Sequence, residues 1–241
     1  MGARKFVIAI PPSEGKAEGG DPRTSWSPGS GTYGPVLGHW RTDVARALGA
    51  AGGGNAALLG VKGRHLDRAR AVNSALIASP TLPAWRRYTG VVWDHLDLGS
   101  LSGTALTDAV RRVHVPSGLM GMVRADDPVP DYRLKMGARL APFGTMGVWW
   151  RDDLTDAFAT ALKGAVVVDL LPAEHRSAID WDRIDGAVRV DLVSRSGGTV
   201  GGHNAKAAKG LLARHLLTAR TNDVEALVSS FRHAEYRARI V

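Results

Sequence analysis

Phe6-Val7-Ile8-Ala9-Ile10-Pro11-Pro12-Ser13-Glu14-Gly15-Lys16 sets the frame for the whole chain. An unbroken apolar run of this length reads as a strand with both faces buried. Two prolines end it, and a glycine beside a lysine follows, a common way to hold an anionic group at a strand end. The nucleotide-binding P-loop does not fit. Ile10 stands where its first glycine belongs, and Ala17 follows the lysine in place of Ser or Thr. What remains is a strand-end loop with Ser13, Gly15 and Lys16 as candidate anion contacts, set against the plain alternative of a surface turn with a solvated lysine.

Outward from that loop, 241 residues and 44% hydrophobic content suit a single domain over residues 1–241. Without cysteine the chain has neither disulfides nor thiolate metal sites. Its eight histidines lack paired spacing, so the sequence calls for no metal and no cofactor. No apolar run approaches the ~20 residues that span a bilayer, and the first 30 residues lack a signal-peptide pattern. These points set an expectation of a soluble, cytoplasmic protein with no membrane partner. A formal net charge of +8 favours phosphate-rich or other anionic partners without naming one. The oligomeric state is not legible.

Residues 19–38, rich in Gly, Ser and Pro, read as a long ordered loop pinned by Trp26. Helical spacing runs from Trp40 to Ala51 and, broken at Gly60 to Gly63, from Asn55 to Ala78. Gly90 to Trp93, Val113 to Val115, Ala165 to Leu170, Val188 to Val193 and Tyr236 to Val241 read as strands. Helical tracts lie at 104–112, 154–162, 205–220 and 222–233. The order predicts an α/β (or α+β) domain with a central mixed sheet wrapped by helices.

Three further segments carry candidate chemistry. After the strand at Val113, Ser117 and Gly118 sit where backbone N–H groups reach a ligand, and Arg124, Arg133 and Lys135 suit carboxylate or phosphate oxygens. Asp126 and Tyr132 are candidate proton carriers. If residues 131–136 are extended, Arg133 and Lys135 share one face and Tyr132 and Leu134 the other. An Arg/Asp network that only holds the loop closed is the competing explanation. Gly201 to Gly210 opens a helix with Asn204 or His203 as N-cap, and Lys206, Lys209 and Arg220 on one cationic face. At Tyr88 to Asp97, Asp94 and His95 point to opposite sides if the strand continues, with helix capping by Asp97 as the plainer role.

Leu58 to Ala69 resembles the hairpin of a helix-hairpin-helix, within a possible insertion at 55–78. In that motif a Gly-hydrophobic-Gly turn grips DNA backbone phosphate rather than base sequence. Lys62, Arg64 and Arg68 are its candidate DNA contacts, and a plain helical hairpin packed on the core is the alternative.

Taken together, Pro11 to Lys16, Tyr88 to Gly90, Ser117 to Gly121 with Arg124, Pro130 to Met136, Val167 to Leu170 and Asn204 to Gly210 resemble the YaaA family of bacterial peroxide-stress proteins over nearly the whole chain. Pro11 to Lys16 matches that family's Pro-Pro-Ser-Glu-Gly-Lys signature, Tyr132 to Met136 its Tyr-Arg-Leu-x-Met, and Lys206 to Gly210 its Lys-x-x-(Lys/Arg)-Gly. Gly202-His203 and Leu170 to Glu174 depart from the family pattern. The resemblance implies one α/β domain on a mixed sheet, a positively charged cleft, DNA binding and a role in limiting iron-driven oxidative damage.

Two functions follow as expectations. In the first, a basic surface holds DNA through its phosphates. In the second, Lys16, Arg124, Asp126, Tyr132, Arg133 and Lys206 serve as catalytic groups of an enzyme, with Ser13, Gly15, Ser117, Gly118, Asn204 and Lys209 binding an anionic, nucleotide-like or carboxylate-bearing small molecule. The second requires Lys16, Arg133 and Lys206 to meet.

Overall fold

All four residues of strand β1 (Phe6–Ala9) are buried, as its two-sided apolar run requires. Here and below the structure is a computed structural model describing residues 5–198 and 200–241. Residues 1–4 and Thr199 of the expected 1–241 domain lie outside it. β1 lies within a six-stranded sheet with β2 (Val113–Ser117), β3 (Gly121–Arg124), β4 (Val166–Asp169), β5 (Ala187–Ser194) and β6 (Tyr236–Ile240). The spatial order is β6-β5-β4-β1-β2-β3. The four inner strands are parallel, with Phe6 opposite Val166 and Ala9 opposite His114. The outer pairs, β5–β6 and β2–β3, are antiparallel. The expected mixed sheet within one α/β domain is the observed one.

Helices cover the sheet: α1 (Gly34–Ala50), α2 (Ala56–Leu59), α3 (Arg64–Ser74), α4 (Val91–Leu96), α5 (Gly103–Arg111), α6 (Met146–Ala161), α7 (Gly202–Thr218) and α8 (Val224–Ser230), besides shorter turns. No helix among the described residues is long and apolar enough to cross a membrane. α4 and α7 cross closely because Gly210 has no side chain; a Cβ there would run into the Val92 carbonyl. Trp26 is fully buried and anchors residues 19–38 as expected. That stretch is more regular than a loop, since Asp21–Ser25 pairs with Pro80–Pro83 and α1 already begins at Gly34.

Three local expectations are corrected. Gly90 to Trp93 is not a strand: Gly90 turns the chain at φ 116° and Val91 starts a helix, where packing on α7 overrides the β preference of two valines. Asp94 and His95 therefore ride on α4. His203 and Asn204 do not cap α7, which starts at Gly202 behind an extended Gly201; Asn204 instead donates to the Glu235 carboxylate at 3.2 Å. α7 ends at Thr218, so Arg220 is off its cationic face.

Candidate functional site

The chain leaves β1 toward β2 on one side of the sheet and leaves β4 toward β5 on the other. The crevice beyond the carboxyl ends of β1 and β4 is therefore a topological switch point, where open α/β sheets bind ligands. Pro11 to Lys16 forms one lip and Leu170 to His175 the other.

The first lip is fixed from three sides. Gly15 and Lys16 pair antiparallel with Thr89 and Tyr88, the Ser13 hydroxyl donates to the Thr89 carbonyl, and the Trp93 indole donates to the Pro11 carbonyl at 3.2 Å. Gly90 is needed here twice, for its positive φ and because a Cβ would strike Ser13 Oγ. The second lip is held by Lys209, whose Nζ donates to the Leu170 carbonyl at 2.7 Å, and by the buried Asp169 paired with Arg176.

Lys16 points into a narrow pocket of about 50 Å³ between the lips, with Glu14, Arg133, Lys135, Glu174 and His175 around it. Its ammonium lies 4.3 Å from the centre of the Tyr132 ring and donates to the Ser13 carbonyl at 2.9 Å. Burial pushes its pKa from 10.5 down to about 7; the carboxylate of Asp131 opposes that fall, and the Arg133 cation adds to it. Tyr132 is itself held by a buried hydroxyl chain, 3.0 Å to the Tyr88 hydroxyl and 2.8 Å to that of Ser117.

Residues 131–136 show the expected alternation without forming a strand. Tyr132, Leu134 and Met136 are buried, while Arg133 and Lys135 face the pocket. Both bind Glu14, at 3.1 Å and 2.7 Å, and the hydrogen bond from Lys135 does most to hold the Glu14 carboxyl below its usual range. His175, which the sequence reading passed over, completes the wall. Its Nδ1 is buried with no hydrogen-bond partner among the described residues, and burial, with Lys16 and Lys209 nearby, pushes its pKa down. Only its position just past a buried strand could have flagged it.

A wide hollow of about 850 Å³ adjoins this pocket and shares Pro12, Ser13, Glu14 and His175 with it. Trp93, Leu171 and Leu192 give it apolar walls, and Arg189, Lys206 and Lys209 give it cations, with Asp191 paired to Arg189 at 2.8 Å. Burial lowers the Lys209 pKa, while Lys206 is exposed. Lys16 and Arg133 thus share the narrow pocket, while Lys206 lines only the adjoining hollow.

Other sequence candidates fall elsewhere. Arg124 lies at the end of β3 remote from the Ser117 turn, paired with Asp126 at 2.5 Å, its backbone N–H bound by Asp127. Neither Arg124 nor Asp126 lines the cavities, and they form the closed Arg/Asp network held as the alternative. Ser117 and Gly118 act from beneath: Ser117 holds Tyr132, and Gly118 admits the Leu134 and Lys135 carbonyls where a Cβ would collide. Asn204 is turned to Glu235 and lines neither cavity. Arg68 is spent on Glu18 at 2.9 Å and Asp131 at 2.6 Å, whereas Lys62 and Arg64 are exposed with no ion pair among the described residues. The hairpin is clamped to the site: Asn73 accepts from the Arg133 N–H at 2.9 Å, and the Arg133 guanidinium donates to the Leu59 carbonyl at 2.9 Å.

The model of the family described as peroxide stress protein YaaA matches residues 8–239. The chain belongs to the YaaA family. A UPF0246 protein of Corynebacterium efficiens is 34% identical over 221 residues, 88% of this chain and 85% of its own length. One from Streptomyces coelicolor is 36% identical over 155 residues, 63% of this chain and 59% of that relative. The stretches that carry the family resemblance have physical roles: Pro11 to Lys16 forms a lip, Tyr132 to Met136 a wall, and Gly210 allows the helix crossing that sets Lys206 and Lys209 at the hollow. Leu171, Pro172, Ala173 and Gly202 also line the wide hollow.

Proposed function

We propose that this YaaA-family protein binds an anionic small molecule, nucleotide-like or carboxylate-bearing, in the crevice between β1 and β4, and acts on it chemically as part of peroxide defence. The observation that carries this reading is the meeting of Lys16, Arg133 and Lys135 in one pocket that continues into the hollow of Lys206 and Lys209. Arginine at such a rim orients a carboxylate or phosphate, and a buried amine of low proton affinity is a base or nucleophile near neutral pH. Phosphate gripping alone has no use for that amine. The apolar walls suit the body of the ligand.

Titration calorimetry with AMP and with malate tests the reading. Binding by the wild type, weakened at least about tenfold by Arg133→Ala, is the expected result. No binding of either, or equal binding by the variant, overturns it. For the role in defence, a strain lacking the gene should become sensitive to hydrogen peroxide and be rescued by the wild type but not by Lys16→Met.

The second reading is DNA binding through the hairpin, favoured by the exposed Lys62 and Arg64, without ion pairs among the described residues, beside the left-handed Gly60 and Gly63 and by the net charge of +8. A grip of this kind falls steeply with salt as counterions are released. Lys62→Ala with Arg64→Ala should then lower the log–log salt slope of duplex binding by about 2. Affinity indifferent to salt would count against it.

A further inference from the structure

The wall of the narrow pocket holds its own carboxylate. Glu14 bridges Arg133 and Lys135, yet its side chain is 64% exposed and comes from a loop rather than from a helix or long strand. That is where a ligand carboxylate would sit, and Glu14 can leave for water at little cost. At the base of the same pocket, the Lys16 amine makes no ion pair among the described residues. Its contacts are the Ser13 carbonyl and the Tyr132 face. His175 also lines this pocket, its Nδ1 buried with no hydrogen-bond partner among the described residues.

We propose that Lys16 is a nucleophile that forms an imine with a small α-oxo carboxylate, whose carboxylate replaces that of Glu14 between Arg133 and Lys135. The step rests on the anionic-ligand reading above and identifies its substrate class. The Nζ lone pair forms the C–N bond while the carbonyl π pair moves to oxygen, and one nitrogen proton passes to that oxygen, giving a carbinolamine. Nitrogen then loses its remaining proton, oxygen leaves as water, and C=N forms, with no change in oxidation state. The second nitrogen proton passes through water to the departing hydroxyl. The depressed pKa of Lys16 supports the assignment, since a lysine free in water keeps fewer than about one amine in a thousand unprotonated at pH 7.

Glyoxylate, the smallest such acid, suits a pocket of about 50 Å³ and is the probe. The protein is incubated at pH 7 with glyoxylate and cyanoborohydride, which reduces the imine to a stable amine, and labelled lysines are located by peptide mass mapping. The expected result is one carboxymethyl group per chain, on Lys16, at least about tenfold over the exposed Lys62. Arg133→Ala should lower Lys16 labelling by glyoxylate more than by acetaldehyde, which has no carboxylate to anchor and loses only what the rise in Lys16 pKa costs it. Label spread over the lysines without preference for Lys16 overturns the proposal, and the wild-type map decides this even if a variant fails to fold. Malate carries carboxylates but no carbonyl. If malate binds while Lys16 stays unlabelled, the imine falls alone; if malate, AMP and glyoxylate all fail, the anionic-ligand reading falls with it.

Discussion

Gly15-Lys16 and Lys62-Gly63 put the same two residue types side by side, and the fold makes opposite things of them. Lys16 is set over the Tyr132 ring, with its pKa depressed by burial. Lys62 projects into solvent from a turn between two helices. The difference comes from what covers each lysine, not from its sequence neighbours. Tyr88 and Tyr132 reach Lys16 from residues far along the chain, while Lys62 stays exposed among the described residues. A glycine–lysine pair marks a place where a cation can be presented, and the cover decides whether water or protein sets its chemistry.

Stripping the cover should have the largest effect. Tyr132→Ala removes a buried ring and two hydroxyl contacts, so it should cost about 3–5 kcal/mol in urea unfolding. It should also return the Lys16 pKa, followed by NMR of the Lys16 ammonium group, toward 10.5. Lys62→Ala should stay within about 0.5 kcal/mol of wild type. Equal losses would erase the contrast.

The two regions are joined, and the joint is the next point of attack. Asn73→Ala leaves the Gly53 and Arg133 carbonyls and the Arg133 N–H without their buried partner, and should cost about 2 kcal/mol. It should also weaken ligand binding at a site Asn73 does not line. A stability loss with unchanged binding would show that the hairpin is a passenger.

The pH dependence sharpens the contrast without unfolding the site. Between pH 7 and 10.5 the unfolded chain holds a proton on Lys16 that the folded chain has shed, so the Lys16 contribution to stability rises with pH across that window. Below it, Lys16 costs the fold most. The Tm gain of Lys16→Met over wild type should accordingly be largest near pH 6 and shrink by pH 10. A gain that does not vary with pH would mean that folding leaves the lysine pKa unchanged. The smallest effect separates two arginines of one helix: Arg68→Ala should cost about 1 kcal/mol through Glu18 and Asp131, and Arg64→Ala nearly nothing.

Much of the framework was legible in the residues. The apolar runs at Phe6 and Ala165 place two inner parallel strands, because a strand buried on both faces needs continuous hydrophobicity. The glycines at 52–54, 60 and 63 mark the breaks around α2 and α3, because glycine adopts left-handed backbone readily. The alternation from Tyr132 to Met136 predicts which side chains face the pocket even without a strand. The misreading at Gly90 to Trp93 came from trusting valine propensity where contact with α7 decides. Arg124 and Asp126 were grouped with the site by charge density, but charge density does not say which partner is nearest.

The sequence by itself determined the buried strands, the strand-end loop, the clustered cations and, through its motifs, membership of the YaaA family. Tertiary structure alone decided that Lys16 would be covered, that Glu14 would pair with Arg133 and Lys135, that His175 would join the site and that Arg68 would be consumed in ion pairs. The physical reason is that strand and turn formation answer to neighbours in the chain. Desolvation and ion pairing answer to whatever the fold brings within a few ångströms, and here those groups come from segments tens of residues apart.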